Sequence, residues 1–188
     1  MAGDAYHHGD LRAACLRAAR ELLEEDGTAA LSLRAVARRA GVSPSAPYRH
    51  YADRDALLAA VAAAGYRELA ERLAAAQPTP PSSPEDLVGS AVAYVRFALE
   101  HPALFRVMFV EPCDAKSAER TAAVAAISDS VTANIGLVFP AADPEAMSTA
   151  AWALVHGLAF LYLDGKLDAS TPELLREKVY AVIKAVAS

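Results

Sequence analysis

Apolar side chains recur along this sequence every three or four residues. No stretch alternates apolar with polar positions while carrying the β-branched enrichment that a strand requires. The pattern predicts an all-α chain. Leu11, Cys15, Ala18, Leu22 and Leu23 form a first helical stripe that stops near Asp26-Gly27. Ser32 is placed to cap a short helix over residues 33–40, with Val36, Ala37 and Ala40 facing inward. Gly41 breaks that helix and Ser43-Pro44 restarts one, serine as cap and proline in the first turn. Pro47 leaves the restart open: with Ser43 as cap it deletes the first intrahelical hydrogen bond, and with Ser45 as cap it deletes none. A longer helix begins near Asp53 and buries Leu57, Leu58, Val61, Leu69 and Leu73.

The run QPTPPSSP at residues 77–84 cannot continue a helix, because proline lacks the donor and forces its predecessor out of the α region. Beyond it the spacing predicts helices on Val88, Val92, Val95 and Leu99, and then from His101-Pro102 to Phe109. Three more follow a loop at 111–116: one on Val124, Ile127, Val131 and Ile135, one over 152–163, and one on Leu175, Val179, Val182, Ile183 and Val186. Four regions result: 1–53, a helix-turn-helix three-helix unit; 54–76, a connecting helix; 77–84, a proline-rich joint; and 85–188, a helical bundle for ligand binding and dimerisation. No internal repeat is present.

Charge sharpens this picture. The net charge of −5 argues against a polyanionic partner for the chain as a whole. Yet residues 28–54 carry Arg34, Arg38, Arg39, Arg49 and Arg54 against Asp53 alone, while acidic residues exceed basic ones thirteen to eight from Pro78 onward. A basic segment on an acidic chain is the electrostatic footprint of a DNA-binding module. Ser43 and Ser45 sit at a helix N-terminus, where phosphate oxygens are favoured, and Tyr48 and His50 add aromatic donors of suitable reach. In a helix-turn-helix the second helix enters the major groove and the first crosses the backbone.

Residues 31–58, LSLRAVARRAGVSPSAPYRHYADRDALL, resemble the DNA-binding region of TetR-family transcriptional regulators, with Gly41, Val42, Ser43, Tyr48, Tyr51, Arg54 and Leu57 matching its pattern. The resemblance implies that Ser43, Tyr48 and Arg54 grip phosphates and that Ser45, Ala46, Pro47 and His50 face base edges. Ser32, Arg34 and Tyr51 complete the expected DNA-binding set. Ala46 departs from the threonine often found there, replacing a hydroxyl contact by an apolar one. Further along, Trp152, His156 and Gly157 resemble the Trp-His-Gly signature of one C-terminal subgroup of that family.

Aromatic content rises after the joint. Tyr94, Phe97, His101, Phe105, Met108, Phe109, Trp152, His156 and Phe160 are the expected lining of a site for a small apolar effector, although ordinary core packing would use the same residues. The 152–163 helix is apolar on two sides, so Leu154, Leu158 and Leu161, with Val179, Val182 and Val186 of the last helix, are expected to form a four-helix homodimer interface.

Other classes are poorly supported. GxGxxG, GxxxxGK and GxSxG are absent, and no catalytic or cofactor-binding set is expected. The two cysteines, Cys15 and Cys113, support neither a disulfide framework nor a zinc site, and no metal site is expected. His156 has no ligand-type residue at i+3 or i+4. The segment 1–10 lacks the basic start and apolar run of a secretory signal, and residues 146–163, though long and uncharged, are broken by Ser148, Thr149, His156 and Gly157. A cytoplasmic protein with no membrane partner is expected: a repressor that binds a palindromic double-stranded operator as a homodimer and is released by its effector. A helical protein-interaction module is the alternative, and a small-molecule enzyme a more distant one.

Overall fold

The computed structural model describes residues 8–111, 114 and 116–187. Cys113 and residues 1–7 lie outside them. Eight α-helices and no strand occur among the described residues: α1 His8–Asp26, α2 Leu33–Arg39, α3 Arg54–Ala75, α4 Val88–Glu100, α5 Pro102–Phe109, α6 Ala118–Val138, α7 Pro144–Leu163 and α8 Pro172–Ala187. Tight 3-10 turns occupy Thr28–Ala30, Pro47–Arg49 and Pro84–Leu87. The chain divides into two compact units, one holding the described residues up to Gly65 with Ala103–Ala122, the other Tyr66–Pro102 with those from Ala123 onward. The division runs through α3, not at the proline-rich run.

In the first unit α1 ends where Gly27 takes φ 74°, a left-handed conformation that suits glycine. Ser32 caps α2, its Oγ accepting from the Ala35 N–H at 3.1 Å. The same helix ends in a Schellman pattern at Gly41 (φ 68°): the Gly41 N–H reaches the Arg38 carbonyl at 3.3 Å and the Val42 N–H the Ala37 carbonyl at 3.0 Å. Leu23, Leu31, Val36, Leu57 and Leu58 form the core with Leu104, Phe105, Val107 and Met108 of α5, all of them buried. Cys15 is completely buried there, and desolvation pushes its thiol pKa up.

The second unit is built on α4, α7 and α8. Ala91 and Val95 of α4 pack with Leu158 and Tyr162 of α7 and with Leu175 and Val179 of α8. Ahead of α4 the proline-rich run ends in a capping arrangement: the Asp86 carboxylate accepts from the Ser82 and Ser83 N–H groups at 2.8 and 3.1 Å and begins the turn at Pro84. Asp143 caps α7, with Pro144 in its first turn.

Two of the expected dimer residues are corrected by this core. Leu158 and Val179 are inside the subunit, not on a free face, and Val182 is partly buried against them. At about 100° per residue, Leu158 falls within one turn's arc of Val155, Ala159 and Tyr162, so it shares their inward face. Leu154 is half-buried, whereas Leu161 and Val186 are 45% and 65% exposed, in company with Trp152, Leu174 and Tyr180. By length and composition α7 could cross a membrane, and so could α6, which the sequence pattern does not single out. The inward side of α7 is taken up by the core just described.

Candidate nucleic-acid interface and a second polar site

Pro47 decides the shape of the segment that follows Gly41. In an α-helix capped at Ser43, residue 47 would donate to the Ser43 carbonyl, and proline has no N–H to do so. The Ser43 carbonyl instead accepts from Ala46 at 2.9 Å, and Ala46 and Pro47 accept in turn from Arg49 (3.2 Å) and His50 (3.0 Å), each three residues on. The expected second α-helix is therefore a turn followed by a 3-10 segment, Pro47–Arg49, more tightly wound and longer per residue than an α-helix.

That winding sorts the side chains. Ser43, Pro44, Ser45, Tyr48 and Arg49 are exposed, with the Ser43 and Ser45 hydroxyls 3.3 Å apart and Tyr48 at 51% exposure. Ala46 and Pro47 are buried, and the His50 Nε2 is enclosed without a hydrogen-bond partner among the described residues. The expectation that Ala46, Pro47 and His50 face base edges is corrected accordingly: two of these side chains and the ring nitrogen of the third point into protein. Tyr51 is also interior. Its hydroxyl donates to the Arg12 carbonyl at 3.5 Å, and burial pushes its pKa up to about 12. Pro44 and Arg49, which pattern reasoning passed over, stand on the exposed side in their place.

The arginines of the basic segment separate in the same way. Arg39 is paired with Glu25 at 2.6 Å and Glu21 at 3.4 Å across to α1. Arg54, half-buried at the start of α3, donates from Nε to the Leu31 carbonyl at 3.0 Å and from Nη2 to the Thr28 carbonyl at 2.7 Å. Arg34, Arg38 and Arg49 are exposed, and no ion pair or hydrogen bond engages their side chains among the described residues. Ser32 is exposed, with its hydroxyl engaged as the α2 cap.

The nine residues expected around an effector are divided between the two units. Phe105 and Met108 are core residues of the first unit, where Phe109 stacks on Phe105 at 4.7 Å; Met108 and Leu104 stand so close to Gly65 that a Cβ there would lie 2.6 Å from the Met108 sulfur. Phe97 and His101 belong to a cluster in the second unit in which Arg72 lies over the Phe97 ring at 5.3 Å and bonds Glu68, Glu100 and the His101 Nε2. Tyr94, Trp152, His156 and Phe160 meet as a group in the second unit. The indole N–H of Trp152 donates to the Tyr94 oxygen at 3.4 Å, and the Tyr94 hydroxyl lies 2.9 Å from His156 Nδ1. Indole can only donate, so the Tyr94 oxygen is the acceptor of that bond, and the same hydroxyl links Trp152 to the imidazole of His156. Phe160 closes on the imidazole edge at 4.9 Å.

Burial of His156 lowers its pKa below the ordinary value of about 6.5. The unfolded chain therefore takes up this proton at a higher pH than the folded one. Stability from His156 is complete above about pH 6.5 and declines as the pH falls through the folded pKa. Thermal unfolding followed between pH 7.5 and 5.5 should show a falling Tm, with a smaller fall in His156→Asn. An equal fall in both proteins would assign the effect to other groups.

A short basic helix, a glycine turn and an exposed serine turn, followed by a separate helical unit with a half-buried histidine, define a helix-turn-helix regulator architecture. A family model described as bacterial regulatory proteins of the tetR family matches residues 16–61, and one described as a tetracyclin repressor-like C-terminal domain matches residues 87–183. The chain belongs to the TetR family, whose members are transcriptional regulators and not enzymes. It is 34% identical over 125 residues to an HTH-type transcriptional regulator of Mycobacterium tuberculosis, a match that covers 62% of this chain and 53% of that protein. The chain spans about half the length of the mycobacterial relatives it matches. A protein of unknown function from Rhodococcus sp. RHA1 has a similar structure with TM-score 0.81 and 33% identity, covering 99% of this chain and all of that one. A tetR-family regulatory protein from the same source gives TM-score 0.68 at 23% identity, over 93% of this chain and 95% of that one.

Proposed function

We propose that this chain is a ligand-responsive transcriptional repressor of the cytoplasm that binds a palindromic operator as a homodimer and releases it when a small apolar effector binds. The observation that carries the reading is the exposed turn bearing Ser43, Ser45 and Tyr48, flanked by the unpaired Arg34, Arg38 and Arg49. Hydroxyls and free guanidinium groups hold phosphates, and the turn offers Pro44, Ser45 and Arg49 toward the groove. Trp152, His156 and Gly157 fit the Trp-His-Gly subgroup, and the Tyr94–Trp152–His156 group with Phe160 is the effector site, where a polar relay inside aromatic walls orients a largely apolar molecule. Leu161, Leu174, Tyr180 and Val186 supply apolar surface for the second subunit, and with one side of α7 against the core and another against a partner no membrane is needed.

Selection of bound fragments from random duplex DNA by the purified protein tests this reading. The expected product is a palindrome with half-sites about 34 Å, or a small multiple of that, apart, bound by a species of twice the subunit mass in light scattering. Recovery of no enriched sequence, or of a wild-type monomer at micromolar concentration, would refute the operator or the dimer respectively.

A further inference from the structure

We propose that Arg54 serves DNA binding as a positioning residue, holding the turn from which α2 starts, and does not itself neutralise a phosphate. The inference rests on the DNA-binding reading and departs from the role that the family pattern gives this position. Its basis is the fork that Arg54 makes across one short turn. Nε and Nη2 reach the Leu31 and Thr28 carbonyls at 3.0 and 2.7 Å, spanning the Thr28–Ala30 segment from end to end. Gly27 before that segment supplies no side-chain cap, and the segment is closed by the Leu31 N–H on the Thr28 carbonyl at 3.2 Å. The start of α3 does not need the Arg54 side chain, because the Asp53 carboxylate already accepts from the Ala56 N–H at 2.8 Å.

What the fork holds is the entry to α2. Leu31, 1% exposed, anchors the turn in the core, and the next residue, Ser32, is the α2 cap. From that cap α2 carries Arg34 and Arg38 and leads through Gly41 into the exposed serine turn. Arg54 thus couples the start of α3 to the orientation of the helix that presents the unpaired arginines. A planar guanidinium can bridge two carbonyls at once, whereas a lysine ammonium keeps the charge and cannot reproduce the fork. That difference separates positioning from phosphate contact.

The test uses full-length Arg54→Lys and Arg54→Gln proteins and a duplex carrying the selected operator, with affinity read by fluorescence anisotropy from 50 to 200 mM salt, well below the unfolding temperature. Both variants are expected to bind about tenfold or more weakly, with the wild-type slope of log K on log salt and with lysine no better than glutamine. In the free protein, amide exchange at Leu31 and Ala35 is expected to quicken in both. A slope shallower by about 0.9 per lost contact in Arg54→Gln, restored in Arg54→Lys, would make Arg54 a phosphate ligand and overturn the proposal. Unchanged affinity at low temperature, even with a lower Tm, would reduce it to a stability role and equally overturn it, as would unchanged exchange. Should the Gln variant fail to fold, Arg54→Lys carries each comparison. A wild-type protein that binds no duplex would refute the DNA-binding reading, and the exchange measurement would still judge the tie.

Discussion

Raising the salt from 50 to 200 mM is expected to weaken operator binding by about a thousandfold. Arg34, Arg38 and Arg49 are the guanidinium groups of the basic segment left exposed and unpaired among the described residues, so the proposed dimer would bring about six to the phosphates. Each neutralised phosphate contributes about −0.9 to the slope of log K on log salt, which gives about −5 for six contacts and a loss of about three decades over a fourfold change. Arg38→Gln, present twice in the dimer, should flatten the slope by about 1.8. Arg39→Gln should leave it unaltered, because that charge is already spent on Glu25 and Glu21. A slope near zero for the wild type, or equal flattening by both substitutions, would contradict this division of the arginines.

Gly89→Ala is expected to destabilise the protein by about 3 kcal/mol, with Tm lower by roughly 6–12 °C. A Cβ on Gly89 would stand 1.8 Å from the Ala76 carbonyl oxygen, and that obstacle is backbone, which cannot swing aside as a side chain can. The neighbouring Ser90 hydroxyl donates to the Leu73 carbonyl at 3.0 Å, so α4 is held close against the end of α3. Alanine normally favours a helix over glycine by about 1 kcal/mol, and the collision must reverse that gain. Gly136→Ala provides the comparison: its Cβ would meet nothing nearer than Pro144 at 3.8 Å, so the ordinary helix preference should hold and Tm should stay level or rise. Differential scanning calorimetry of the two variants checks both signs, and a Gly89→Ala protein as stable as the wild type would mean that α4 can shift freely.

Helix content and most boundaries were legible because they depend on neighbours in sequence. Ser32 as cap, Gly41 as stop and the helix starting beside Asp53 all follow from residues within four positions of one another. Pro47 showed that the reading element was in doubt, but only the competing hydrogen bonds of Ser43 and Ala46 settle it as a 3-10 turn. Side-chain pairing is not legible where the deciding partner is remote. Arg39 meets Glu25 fourteen residues away and Arg54 meets Thr28 twenty-six away, and no local pattern distinguishes them from Arg34 or Arg49. The side of α7 that Leu158 takes is not legible, because two apolar faces on one helix cannot be ranked without knowing which one α4 and α8 cover.

Because α5 and the first residues of α6, Ala103–Ala122, complete the core of the first unit, that unit is not a continuous stretch of chain. During synthesis, residues up to Gly65 emerge long before the segment that Leu104, Phe105, Val107 and Met108 bring to their core. The reading turn is therefore displayed on a mature surface only after the chain has passed residue 122. A fragment cut at the proline-rich run would lack these side chains, leaving the face of α3 at Gly65 without the Met108 and Leu104 that close on it. Fragment libraries and domain-swap chimaeras of this protein have their safe junctions elsewhere, and a nascent chain stalled before that point would carry the basic segment without the scaffold that orders it.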